Sequence, residues 1–171
     1  MKLIYRAGRQ LLKVRAIMLL ALVSALVSTW YGWDLAQTYG IRPADGGRLA
    51  SLPVRLAWGI SVASLGIAFA VGMWAYGKLY AGSIRYNEAA STLHVRTVEF
   101  ILGGRDLVYP LAAIESSSWR EGRFDNPAGV SVDAPWIALR VKGRRWPLIV
   151  DAQGEFPDRA LAARVLRLGR P

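Results

Sequence analysis

Residues 16–33, AIMLLALVSALVSTWYGW, and 56–77, LAWGISVASLGIAFAVGMWAYG, contain no charged side chain. At about 1.5 Å of rise per residue these runs make helices of roughly 27 and 33 Å, against a bilayer hydrocarbon core of about 30 Å. They predict an integral membrane protein built on a two-helix transmembrane hairpin, with spans at about 16–36 and 56–80. The rings of Trp30, Tyr31, Trp33, Tyr39 and Trp58 at one end of this hairpin, and of Trp74, Tyr76 and Tyr80 at the other, are placed as interfacial belts. No ionisable residue lies within either run, which argues against a channel, pump or transporter.

Outward from the hairpin, the cations are unevenly placed. Lys2, Arg6, Arg9, Lys13 and Arg15 precede the first run with no acid among them, and the whole chain of 171 residues carries a net charge of +10. At about 100° per residue, positions 2, 6, 9 and 13 fall on one stripe, with Leu3, Ile4, Ala7, Leu11 and Val14 opposite. Residues 1–15 are therefore expected to form a basic, amphipathic interfacial helix suited to anionic lipid or to a partner. Five cations thus precede the first span, against Arg42, Arg48 and Arg55 in the loop 34–55, and Lys78, Arg85 and Arg96 follow the second span. The positive-inside rule then puts both termini on the cytoplasmic or matrix side of a bacterial or mitochondrial inner membrane. Within the hairpin, 16–81, small residues are expected to set the packing: Ala21, Ala25 and Ser28 on the first span against Gly59, Ala63, Gly66 and Ala70 on the second.

After Gly82 the pattern turns to period two, with strands expected around 83–86, 92–97, 98–102, 106–109 and 111–119. A long polar loop over 120–135 and a hairpin of 136–141 with 145–150 follow. Pro157 and Asp158 then mark the start of a closing helix with Leu161, Val165, Leu166 and Leu168 on its apolar stripe. The fold class is α+β: the membrane hairpin followed by a small pleckstrin-homology-like (PH-like) sheet or barrel with a C-terminal helix, over 82–171. Trp119 and Trp136 are expected in its core, and Trp146 is the best candidate for a partner contact.

Little here speaks of catalysis. There is no cysteine, and the one histidine, His94, alternates with Leu93 and Val95 on a strand. Glu88, Glu99, Asp106 and Glu115 lack ligand spacing, so no metal is expected, and Gly46-Gly47 and Gly103-Gly104 read as turns rather than phosphate loops. No catalytic residue and no cofactor is assigned. The chemistry-bearing feature is a basic hairpin, Arg140, Lys142, Arg144 and Arg145 beside Trp146, which suits anionic headgroups or an acidic partner surface and carries no RNA-reading motif.

The strand starting Ser83-Ile84-Arg85-Tyr86, the stretch Leu93-His94-Val95-Arg96-Thr97 and the closing helix resemble bacterial membrane-anchored PH-like proteins. Val141-Lys142-Gly143-Arg144-Arg145-Trp146, continuing into Asp151-Ala152-Gln153-Gly154-Glu155-Phe156-Pro157-Asp158, is similar to the C-terminal motif of the transmembrane protein 223 family. That resemblance implies a non-enzymatic accessory or assembly subunit of a membrane redox complex, of respiratory oxidase type. Larger integral-membrane subunits would be its partners, and a photosynthetic reaction-centre complex is a second possible host. The alternative is a membrane-anchored module that binds anionic lipids.

Overall fold

A computed structural model describes residues 1–41, 47–99, 103–125 and 131–168. The chain divides into two compact units, one of Ala16–Ala75 and one of Met1–Arg15 with Tyr76–Pro171. Two long helices, α1 (Arg9–Thr38) and α2 (Leu52–Leu79), contain the two charge-free runs. Both are long and apolar enough to cross a membrane. Leu19, Leu20, Leu26, Ile60, Leu65 and Phe69 are all exposed along them. Soluble monomers rarely expose apolar surface of this extent.

Within the hairpin unit, the helices meet through backbone rather than through large side chains. A Cβ added at Gly59 would stand 2.5 Å from the Gly32 carbonyl oxygen, and one added at Gly32 would fall on the Gly59 carbonyl. Two turns along α2, a Cβ at Gly66 would collide with the Ser28 hydroxyl and lie 2.8 Å from the Ser24 carbonyl oxygen. Ser24, Ser28, Gly32 and Ala36 thus form a four-residue repeat opposite Gly59, Ala63 and Gly66. For helices surrounded by lipid there is no hydrophobic reason to associate, and close backbone approach of this kind supplies dispersion contacts instead. Ala21 is buried, while Ala25 and Ala70 are half-buried. At the loop end, Gly40 takes a positive φ of 98°, Arg55 donates to the Gln37 carbonyl at 3.2 Å, and Tyr39 lies 5.9 Å from Trp58.

The second unit is antiparallel sheet closed by a helix. One sheet has the order β1-β2-β3-β4, from Lys2–Arg6, Ala81–Asn87, Thr92–Thr97 and Arg105–Pro110. A 3-10 turn at Leu111–Ala113 leads into β5 (Ile114–Arg120). β5 pairs with β8 (Trp136–Val141), and β8 with β9 (Leu148–Asp151). Between β5 and β8, β6 (Arg123–Asp125) and β7 (Ser131–Asp133) form a short ribbon. The sheets are linked by a parallel bridge between Tyr80 and Ile149. Their shared core holds Ile84, Leu93, Val95, Ile137, Leu139 and Leu148, all essentially inaccessible. Burying each such side chain stabilises the fold by about 1.5–3 kcal/mol. α3 (Arg159–Val165) adds Ala162, Val165 and Leu166 to this core, and the Asp158 carboxylate caps it by accepting from Leu161 N–H at 2.8 Å.

The largest departure from the sequence reading is at the N-terminus. Residues 2–6 form an edge strand, with Leu3 opposite Arg85 and Tyr5 opposite Ile84, instead of the first turns of an interfacial helix. A register shift between Leu3 and Tyr5 lets the adjacent Ile4 and Tyr5 both be buried. That consecutive pair, read at helical period, mimics an amphipathic face. Gly8, at a φ of +56°, makes the turn from strand to helix. The expected strand at 98–102 is absent at Val98 and Glu99, and its remainder lies outside the described residues. β5 begins at Ile114 rather than 111, and the expected polar loop 120–135 contains the β6–β7 ribbon. Trp119, expected in the core, is 59% exposed, and Trp136 is half-buried.

Residues 151–156 clasp this unit together. The Asp151 carboxylate accepts from the Tyr80 hydroxyl at 3.2 Å and from Gln153 N–H at 2.8 Å, while Asp151 N–H donates to the Tyr5 hydroxyl at 3.1 Å. Arg6 and Glu155 exchange backbone hydrogen bonds of 2.9 and 2.8 Å, and the Tyr5 and Phe156 rings lie 5.1 Å apart. Burial, with the Asp151 charge adding to it, pushes the Tyr5 phenol well above its ordinary pKa and keeps it neutral. A Cβ at Gly154 would stand 2.5 Å from the Tyr5 ring.

Gly154→Ala is therefore expected to cost about 1–3 kcal/mol, read as a lowered melting temperature of the detergent-solubilised protein. Gly59→Leu should loosen the helix pair by a similar amount. Gly72→Ala, where an added Cβ meets nothing within 4 Å, should leave melting unchanged or raise it slightly.

Candidate interaction surfaces

β8 and β9 are joined by a turn in which Arg144 N–H donates to the Val141 carbonyl at 3.1 Å and Gly143 takes a φ of +83°. The turn puts Arg140, Lys142, Arg145 and Trp146 on the exposed surface. Arg145 stacks over the Trp146 ring, its guanidinium carbon 5.6 Å from the centroid, and Trp146 is 60% exposed. A cation held on an exposed indole face presents charge and apolar area together, a combination suited to a headgroup layer or a protein partner.

Arg144 behaves differently. It is half-buried, and its Nη1 donates at 2.7 Å to the hydroxyl of Tyr109 on β4, tying the β8–β9 turn to the first sheet. Its guanidinium is committed to a structural bond. Alternating cations around a hairpin tip read alike in sequence, and only the register with β4 separates this one from its neighbours.

Among the N-terminal cations, Lys2 pairs with Glu88 at 3.3 Å, with both side chains about two-thirds exposed. Such a pair contributes little to stability. Arg6 is an exposed residue of β1, whereas Arg9 and Lys13 are exposed on the first turns of α1. The structure thus divides the expected stripe between a strand and a helix.

His94 lies on β3, within 3.3 Å of the Thr92 hydroxyl. Among the described residues, no three His, Asp or Glu side chains are grouped so as to hold a metal ion. A groove lies between β5, β8, α3 and the 152–156 segment, lined by Trp119, Ile137, Phe156, Arg159 and Leu168 among others. The sequence gives no sign of it. Trp119 is on the same face as the buried Ile137, to which it is paired, and alternation alone assigns it to the core.

Arg144→Ala is expected to lower stability by about 1 kcal/mol through loss of the bond to Tyr109, and Tyr109→Phe should reproduce most of that loss. Thermal melting of the two single variants and the double variant checks this: the double variant should be little worse than Arg144→Ala alone.

No curated protein and no solved structure matches the chain. A family model does match, and it covers β1, both long helices, both sheets and α3. Over residues 2–167 the chain fits the description TMEM70/TMEM186/TMEM223 protein family, and it belongs to that family.

Proposed function

We propose that the protein is a non-enzymatic assembly or accessory factor for a respiratory membrane complex, anchored by its hairpin and acting through its extramembrane module. The observation that carries this reading is the family match along nearly the whole chain, hairpin and sheets together. The module is read as PH-like, a scaffold for contacts, on the basis of its antiparallel sheets closed by a C-terminal helix. Its exposed cations Arg140, Lys142 and Arg145 beside Trp146 are assigned to the partner or headgroup contact, with Arg6, Arg9 and Lys13 as a second basic group. Arg144 and Lys2 are left out because Tyr109 and Glu88 engage them. The seam formed by Ser28, Gly32, Gly59, Ala63 and Gly66 holds the hairpin together, and the remaining apolar helix surface is available to larger membrane subunits. Both termini are placed on the cytoplasmic or matrix side, following the distribution of cations.

The Arg145–Trp146 pair also favours a second reading, in which the same hairpin binds anionic lipid directly.

Purification from its own membrane in mild detergent is expected to yield, on a native gel, a band far larger than the 18.8 kDa chain that contains subunits of a redox complex. Migration as the free protein alone, with undiminished assembled complex in a deletion strain, would overturn the assembly reading. Replacing Arg140, Lys142 and Arg145 together with Glu should weaken attachment about tenfold or more, given about 1 kcal/mol per cation near an anionic surface. Flotation of this variant with neutral and anionic vesicles separates the two readings. A loss confined to anionic vesicles supports lipid binding, and a loss confined to the copurified complex supports protein contact.

A further inference from the structure

An open groove lies beside α3. It has a volume of about 650 Å³ and is lined by Ile137, Phe156, Ala162, Leu168 and Trp119 among others. Volumes of this order accommodate several side chains of a bound segment. Trp119 shares the face of the buried Ile137, to which it is paired, and is still 59% exposed. An indole in that position costs the free protein buried area that a partner would recover, and such tryptophans are where binding energy concentrates.

Two features restrict the occupant. Among the described residues that line the groove, Arg159 is the one charged side chain, so complementarity calls for a carboxylate beside the apolar part. β5 is also the outer strand of its sheet, in the order β5-β8-β9, and its outer edge is bridged at Ser117 by Leu168, leaving Trp119 and Arg120 past that bridge. Main-chain groups at an open edge beside an apolar groove are what an extended peptide uses, pairing its backbone while alternate side chains enter the groove. An acyl chain would gain nothing from that edge.

We infer that the Trp119 groove binds an extended segment of a partner protein, with two or more apolar side chains next to an Asp or Glu that pairs with Arg159. This site is separate from the basic β8–β9 turn and does not depend on which complex the protein serves.

Panning a phage-displayed library of random dodecapeptides against the full chain in lipid nanodiscs tests the inference. Enriched peptides should place aromatic or aliphatic residues beside an acid. Their affinity, by fluorescence anisotropy, should fall about tenfold or more for Trp119→Ala and for Ala163→Trp, which fills the groove. Arg159→Glu should also weaken them, and exchanging the peptide's acid for Lys should restore binding to that variant. Melting curves establish that each variant is folded, and the exposed position of Trp119 makes its replacement the least disruptive. Absence of enrichment, or enriched peptides that bind all variants alike, would overturn the proposal. So would groove-dependent binding of sodium oleate by titration calorimetry with no peptide response, which would assign the groove to lipid.

Discussion

The pairing of β1 with β2 is the constraint from which the remaining organisation follows. Arg6 stands opposite Ser83, yet the two long helices lie between them in the chain. A ladder of this kind forms only if the polypeptide returns to the side it left. For helices that cross a bilayer, this requires an even number of crossings, independently of any count of loop charges. The residues before α1 and after α2 are parts of one sheet, and the hairpin is an excursion between adjacent strands. β1 ends at Arg6 and α1 begins at Arg9, while α2 ends at Leu79 and β2 begins at Ala81.

An edge strand of five residues is weak by itself, and the 151–156 segment makes it secure. Backbone bonds between Arg6 and Glu155 extend the ladder on the side away from β2, and Tyr5 fills the space that Gly154 leaves. Asp151 then joins Tyr5 to Tyr80, the residue immediately after α2, within one polar cluster. A half-buried carboxylate keeps its charge at least cost when its oxygens have donors, and here Tyr80 and Gln153 supply them. The run from Asp151 to Asp158, which carries the resemblance to the transmembrane protein 223 family, thus has mechanical work at five of its positions. It orients two tyrosines through Asp151, makes room at Gly154, closes a ladder at Glu155, stacks a ring at Phe156 and caps α3 at Asp158.

Features with short-range causes could be read from the sequence. The two helices follow from charge-free runs, the β8–β9 hairpin from apolar alternation around Gly143, and the start of α3 from Asp158. Features caused by distant pairing could not. β1 owes its conformation to a partner about eighty residues along the chain, and its register shift replaces alternation with the adjacent buried pair Ile4 and Tyr5. Gly32 is hidden among Trp30, Tyr31 and Trp33, which read as an interfacial belt, although its backbone packs directly against that of Gly59. Trp119 has the alternation of a core residue and is nonetheless exposed. Arg144 is one of four cations in six positions, and only the β4 hydroxyl of Tyr109 removes it from the basic surface.

The two surfaces singled out on the sheet unit lie at opposite ends of one strand. β8 begins at Trp136 and Ile137 beside the groove and ends at Val141, where the basic turn starts. At about 3.3 Å per residue this separates them by roughly 15 Å along a strand paired on both sides. A central strand of this kind does not bend readily, so the two surfaces keep a fixed spacing. One is cationic with an exposed indole suited to a charged face, and the other is an apolar groove with a single cation suited to an inserted segment. On the function proposed above, a module with both would hold a segment of one partner at a set distance from a second surface, and bringing two such surfaces together would be the physical content of an assembly role.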